Sequence, residues 1–481
     1  MASSQPPRVP ELPDTTVGSP SVDLPPTDSP LGTETLRRVR RRVVPLIVLL
    51  YFVAYLDRNN IGFAKTQMSA DLGLTNAAFG LGAGIFFIGY VIMEIPSNGG
   101  MHRFGARKWI ARILVTWGFF ACAMAFVSGE TSLYVVRFLL GAAEAGFFPA
   151  VLYYFTLWFP ARQRVAVLGT FVMAQPVANA IGAPLSGLLL KLDGVWGHQG
   201  WQWLFFLEGV PAILLGVLVP FLMTDRPKDA IWLSPSQRDW LVRTMAAEAA
   251  AKEVRHGHAF RAGLTDRRAW VYGLLNFGMV CGIYGLGLWL PTIIEGLGDY
   301  DSSVLGLLVM IPYAVSIPFV HWWASRAART GRRAAHASAS LALAAGALVA
   351  AGFALDVSPW LALAFLSVAA IGIYSAIGPF LSMPSALFAG AAAAASLGLV
   401  NSLGNIGGFV APYAVGLIKD ATDSDQPALV FLAGCLALTA ATAYLFARRR
   451  PEGDARIDEA VTHDTIAAAP PKPAATTKEH V

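Results

Sequence analysis

The sequence predicts an all-α membrane protein with twelve transmembrane helices in two pseudo-symmetric bundles of six. Three observations predict it: an apolar composition, twelve apolar segments of membrane-spanning length, and short matches that carry the first half of the chain onto the second.

The chain is 55% hydrophobic and 14% charged over 481 residues, against about 25% charged for an ordinary soluble domain. A hydrocarbon core of about 30 Å needs about 20 predominantly apolar residues per helix. Segments of that kind recur at 43–66, 76–98, 108–128, 132–156, 165–191, 201–223, 269–292, 303–324, 335–355, 358–383, 396–418 and 427–447. Residues 1–40, rich in Pro, Ser, Thr and Asp, read as a disordered cytoplasmic tail with no apolar core of a signal peptide, and 449–481 as a second such tail. Cys122, Cys281 and Cys435 fall inside spans and read as small packing residues with no disulfide or metal role.

Basic stretches at 37–42, 102–108, 161–164, 325–333 and 447–450 all fall on one side if the segments alternate. Positive loops stay in the cytoplasm, so a plasma-membrane protein with both termini cytoplasmic is expected. The net charge of +5 is accounted for by these loops, and no basic, aromatic groove for nucleic acid is apparent.

The polar stretch 224–268 divides the spans into an N-terminal bundle, 41–223, and a C-terminal bundle, 269–448. Gly80-Leu81 matches Gly306-Leu307 at an offset of 226, which also carries Arg103, Gly105 and Arg107 onto Arg329, Gly331 and Arg333. Ala183-Pro184 with Lys191 matches Ala411-Pro412 with Lys419 at an offset of 228. Three matches in register, at corresponding places in the two halves, argue for a duplicated six-helix unit. A substrate site is expected between the two copies, near the membrane midplane.

Ionisable groups inside spans cost about 2.5–3.5 kcal/mol on insertion scales and mark function by default. Asp57 and Arg58 in the first span, Arg137 and Glu144 in the fourth and Glu208 in the sixth are the deep ones. Neighbouring helical residues point about 100° apart, so Arg58 is expected to face the central cavity and Asp57 an adjacent helix, balancing Arg58 when the cavity is empty. The competing reading is a structural pair of Asp57 and Arg58 with each other or with Arg137. Arg137 and Glu144, seven residues apart, share a face with Gly141 and Ala145. Glu208 reads as structural, and Glu94 as a partner of Arg103, Arg107 or Arg112. The second half offers polarity without charge: Tyr284, Ser375, Ser382, Asn401 and Asn405, with Gln175 a similar candidate from the first half. For each, a hydrogen bond between helices competes with contact to a ligand.

YLDRNNIGFA (55–64), EIPSN with HRFGARKWIARILVTWG (94–118), RFLLGAAEAGFFPA (137–150), GWQWLFFLEGVPAILLG (200–216), DRPKDAIWLSPSQRDWL (225–241), YGLGLWLPTII (284–294) and GAAAAASLGLVNSLGNIGGFVAPYAVG (390–416) resemble the major facilitator superfamily and, within it, the anion:cation symporter family. The resemblance implies proton coupling at Asp57 and Glu144, with Arg137 beside them, and substrate binding at Arg58. It also favours Tyr55, Gln175 and Asn405 over the other polar candidates. Ala328 and Arg332 stand where the family carries Asp and Glu, which takes the partners from a gating salt bridge on that turn.

Enzymatic chemistry has no visible carrier: HExxH, a phosphate loop and GxSxG are missing, and His256 and His258 lack metal-ligand companions. The expectation is a proton-coupled symporter of a small organic anion, such as an aromatic acid, tartrate or a sugar acid, with protons and the lipid bilayer as its other partners, no cofactor, and a monomer as the simplest unit. The alternatives are a proton-antiport exporter of a drug or natural product, and a membrane sensor that binds ligand without moving it.

Overall fold

The computed structural model describes residues 26–253, 264–381, 383 and 390–448. Ser382, His256, His258 and the carboxy-terminal segment from 449 lie outside them. All regular structure among the described residues is helical.

The first half comprises α1 (Pro30–Leu72), α2 (Asn76–Phe104), α3 (Ala106–Ala123), α4 (Glu130–Glu144), α5 (Phe147–Trp158), α6 (Ala161–Val172), α7 (Ala174–Leu189) and α8 (Gly200–Leu222). A linker helix, α9 (Pro235–Glu253), follows. The second half comprises α10 (Arg267–Glu295), α11 (Ser302–Thr330), α12 (Arg333–Ala354), α13 (Pro359–Leu381), α14 (Gly390–Thr422) and α15 (Gln426–Arg448). The fourth span is α4 with α5 and the fifth is α6 with α7, which makes twelve. Ten are apolar and long enough to cross a bilayer on composition alone; α1 and α14 complete the set.

Two expectations about boundaries need correction. Residues 30–40, assigned to a disordered tail, are the first turns of α1. Ser29 accepts a hydrogen bond from the Gly32 amide at 3.1 Å and Pro30 stands at the first helical position, a start signal that outweighs the loop-like composition. This extension packs on α9, where Arg38 bonds Gln237 at 3.3 Å. The fourth span, expected to be continuous, breaks after Glu144: Ala145 is extended at ψ 134° and Gly146 takes φ 87°. Buried Ser97 of α2 donates to the Ala145 carbonyl at 2.7 Å, satisfying the backbone at the break. A break is tolerated at membrane depth only where protein re-satisfies the freed groups.

The duplication is visible in the packing. In the first half α1 packs on α7 and α8, α3 on α8, α2 on α4 and α3 on α4; in the second, α10 packs on α14 and α15, α12 on α15, α11 on α13 and α12 on α13. Each pair in one half has its counterpart in the other. The halves meet through α2 with α14, through the equivalent pair α7 with α11, and through α1 with α10. The residues that revealed the repeat form these seams. A Cβ on Gly80 would lie 2.4 Å from the Pro412 carbonyl oxygen, and one on Gly306 would lie 2.5 Å from that of Ala183. Only glycine admits such an approach of backbones.

The seams are tightest at the end opposite the termini. There the Asp420 carboxylate accepts from the Asn76 amide at 3.0 Å and the Ala77 amide at 2.7 Å, so that α14 caps α2 of the other half. Lys191 pairs with Asp301 at 2.7 Å, and Thr66 bonds Glu295. At the basic end, α9 is fastened to the first half. Glu248 takes the Ala161 amide and Arg164, both at 2.9 Å, and Trp232 stacks on Trp158.

Candidate functional site

Helical periodicity turns Tyr55, Arg58 and Gly62 of α1 toward α10. Arg58 Nη1 donates to the Tyr284 hydroxyl at 2.8 Å, and Gly62 lies against the Leu288 carbonyl. Both pairs are 226 residues apart, the offset of the repeat. Tyr284 is therefore the second copy's counterpart of Arg58, and the two meet on the pseudo-twofold axis: one half presents a cation and the other a phenol.

The other face of the guanidinium is acidic. Arg58 Nη2 pairs with Oε1 of Glu144, the last residue of α4, with the side chains 13% and 2% exposed. The rings of Tyr55, Phe86 and Tyr90 surround it, with centroids 5.3, 5.3 and 5.6 Å from Cζ. Arg58 Nε has no partner, so a donor remains for a ligand. Removing one partner of a buried pair typically costs about 3–5 kcal/mol, because the other charge is stranded.

Arg58 faces the other half, bonding Tyr284, and Asp57 turns into its own. The Trp117 indole donates to Asp57 Oδ2 at 2.7 Å. The counter-ion of Arg58, however, is Glu144 and not Asp57; adjacent residues on one helix diverge, whereas α4 ends beside α1. Arg137 is not paired with a carboxylate either. It donates to the Gly82 and Ala83 carbonyls at 3.3 and 3.1 Å, and Nη1 has no partner, which ties α4 to α2 while leaving a positive charge beside the site.

The remaining candidates divide. Tyr55 packs edge-on to Tyr51 with centroids 4.7 Å apart, next to the guanidinium. Gln175 is buried in α7. Asn405 keeps a buried Nδ2 without a partner. Asn401 donates to Glu94 of the other half, so the expected partnership of Glu94 with Arg103, Arg107 or Arg112 is wrong: Glu94 faces the seam with α14, and it is Arg107 that pairs with Asp225, at 3.3 Å. Ser186 holds Glu208 at 2.8 Å inside the first bundle, and the Ser375 hydroxyl is buried without a partner.

Sequence reasoning missed a second bridge between the halves. Asn59 donates to Asn179 at 2.6 Å, and Asn179 donates to the Tyr374 hydroxyl at 2.9 Å. Asn59 stands next to Arg58 and was legible as a polar residue in an apolar span; Asn179 and Tyr374 gave no signal beyond their polarity.

Two duplicated six-helix bundles with a buried ion pair on the axis between them define the class: a multi-pass membrane transporter built from parallel repeats. A model of the Major Facilitator Superfamily matches residues 47–412, and the chain belongs to that superfamily. It is 45% identical to a protein of Agrobacterium vitis named "Putative tartrate transporter", over 89% of this chain and 98% of that one. It is 43% identical to the quinolone resistance transporter of Acinetobacter baumannii, over 83% and 92%. Its fold is that of the xylose transporter XylE from E. coli in a partially occluded inward open conformation, with a TM-score of 0.69, 15% identity, and 85% and 98% of the chains covered. The protein is thus a transporter of a small molecule and not an enzyme.

Proposed function

We propose that this protein is a proton-coupled symporter that imports a small carboxylate, with tartrate-like hydroxy acids the first candidates. The Arg58–Glu144 pair carries the reading. While Glu144 is ionised it occupies the guanidinium that a substrate carboxylate needs. A proton on Glu144 dissolves the pair and frees Nη2, so proton and anion favour each other's binding, and a guanidinium can grip a carboxylate through two parallel hydrogen bonds. Tyr284, Tyr55, Gln175, Asn401 and Asn405 then supply hydrogen bonds to the anion, and Asp57 and Arg137 set the field around Glu144. The tartrate transporter name among the relatives supports the substrate class.

The test is tartrate uptake in proteoliposomes, acid outside. Native protein should accumulate tartrate, whereas Glu144→Gln, with Arg58 permanently released, should exchange tartrate but not concentrate it. Uphill accumulation by Glu144→Gln would remove Glu144 from the coupling role. The second reading, export by proton antiport, is favoured by the quinolone resistance transporter among the relatives; stimulation by acid inside instead of outside would establish it.

A further inference from the structure

The seam between α2 and α14 holds a carboxyl group that the Arg58–Glu144 mechanism does not use. Glu94 is 4% exposed. Its Oε1 accepts from Asn401 Nδ2 of the opposite half, and its Oε2 is buried with no partner. Two more polar atoms on this seam lack partners, Asn98 Oδ1 one turn further along α2 and Asn405 Nδ2 one turn further along α14. Glu94 lies four residues, about 6 Å, from Tyr90, whose ring lies against Arg58. It stands about 15 Å from the end of α2 at Phe104, on the path from the central site to the basic end.

The titratable and charged groups around this stretch of α2 are Tyr90 on the same helix, Arg58 and Tyr55 from α1, Arg112 from α3 stacked on Trp109, and Arg137 and Glu144 from α4. None of them bonds to Glu94: Arg58 and Glu144 hold each other, Arg137 holds backbone carbonyls, and α14 contributes asparagines. A carboxylate buried with one oxygen unpartnered and no cation beside it is far costlier than the neutral acid. The contact also joins the halves, so rocking them apart at the basic end separates Glu94 from Asn401 and opens the carboxyl to water.

We propose that Glu94 is a second proton-carrying carboxyl of the transport cycle: it holds a proton while it is seated against Asn401, and releases it when the halves part at the basic end. The proposal rests on the symport reading and adds a proton to it. Glu94 loads through the central cleft and empties toward the termini, and Asn401 couples its occupancy to closure of that end.

The experiment is the tartrate accumulation ratio in proteoliposomes with the membrane potential clamped at zero and a pH difference of one unit. Each coupled proton contributes a factor of about ten per unit under these conditions. Glu94→Gln, whose amide oxygen still accepts from Asn401, should accumulate about tenfold less than native protein, while tartrate exchange at equal pH continues. A native accumulation ratio in Glu94→Gln would overturn the proposal and leave the symport reading standing. Native protein that exchanges tartrate but ignores the gradient would sink both. If Glu94→Gln abolishes exchange as well, Glu94→Asp decides: it restores native accumulation if the carboxyl carries a proton, and its failure would make Glu94 structural.

Discussion

At the scale of the residue, Arg58 is where charge chemistry decides the outcome. Its guanidinium holds Glu144 and Tyr284 at once, from opposite halves, and stays inside an aromatic cage. Lysine keeps the charge but has no planar fork to meet a carboxylate with two bonds. Loss of a charge-assisted contact costs about 1.5–3 kcal/mol, so Arg58→Lys should weaken tartrate binding in detergent roughly tenfold to hundredfold. The dimethyl ester of tartrate separates the causes: with no carboxylate left, it should bind poorly to the native protein and lose little further affinity in the variant. Equal losses for acid and ester, measured by calorimetry, would mean that Arg58 acts through packing. That Asp57 and Arg58 point apart was legible from helical periodicity; that Glu144 receives Arg58 was not.

At the scale of the element, the seams and the break in the fourth span carry the argument. Glu144 stands at the end of α4, where the chain is redirected at Gly146, and there it meets Arg58 of α1. Apolar patterning cannot show such a break, because the apolar run continues across it from the end of α4 into α5. The close approach of Gly80 to Pro412 and of Gly306 to Ala183 makes the far end a backbone-to-backbone closure. Overpacking costs about 1–3 kcal/mol, so Gly306→Ala should shift the balance away from this closed form by roughly fivefold to 150-fold. A cysteine at Phe79, which packs on Trp289 across the seam, should then react faster with an impermeant maleimide, in a background lacking Cys122, Cys281 and Cys435. An unchanged labelling rate would show that the far end absorbs the extra methyl. The neighbouring ion pair does not respond to physiological pH. The hydrogen bond from Lys191 holds the Asp301 carboxyl below its ordinary value, so its contribution is complete above that ordinary value and is lost only as pH falls through the lowered one. In the proposed cycle the proton-carrying groups lie deeper, at Glu144 and Glu94.

At the scale of the whole molecule, the two halves are unequal in charge and equal in shape. The main helix pairs of the first bundle recur in the second, yet the deep charged groups belong to the first, and Tyr284 answers Arg58 across the axis. This asymmetry suits a carrier in which one half titrates and the other half shapes the site. Orientation follows from the basic loops: both termini and the linker should face the cytoplasm. A phosphatase active only outside the cytoplasm should work when fused after Asp299 and fail after Gly257. Activity at Gly257 would invert the molecule, and with it the direction of the proposed proton flow.

The amino-acid sequence by itself determined the twelve spans, the duplication and the identity of the deep charges. Each follows from the cost of placing polar groups in hydrocarbon, which writes itself into a one-dimensional pattern. Even the offset of 226 was present in Gly80 and Gly306 before any contact was known. Tertiary structure alone decided the partners. Glu144 is 86 residues from Arg58, Tyr284 is 226 away, and Asn401 is 307 from Glu94. No local pattern encodes which of several buried polar groups will meet, because that depends on how twelve apolar helices pack and on where one of them breaks.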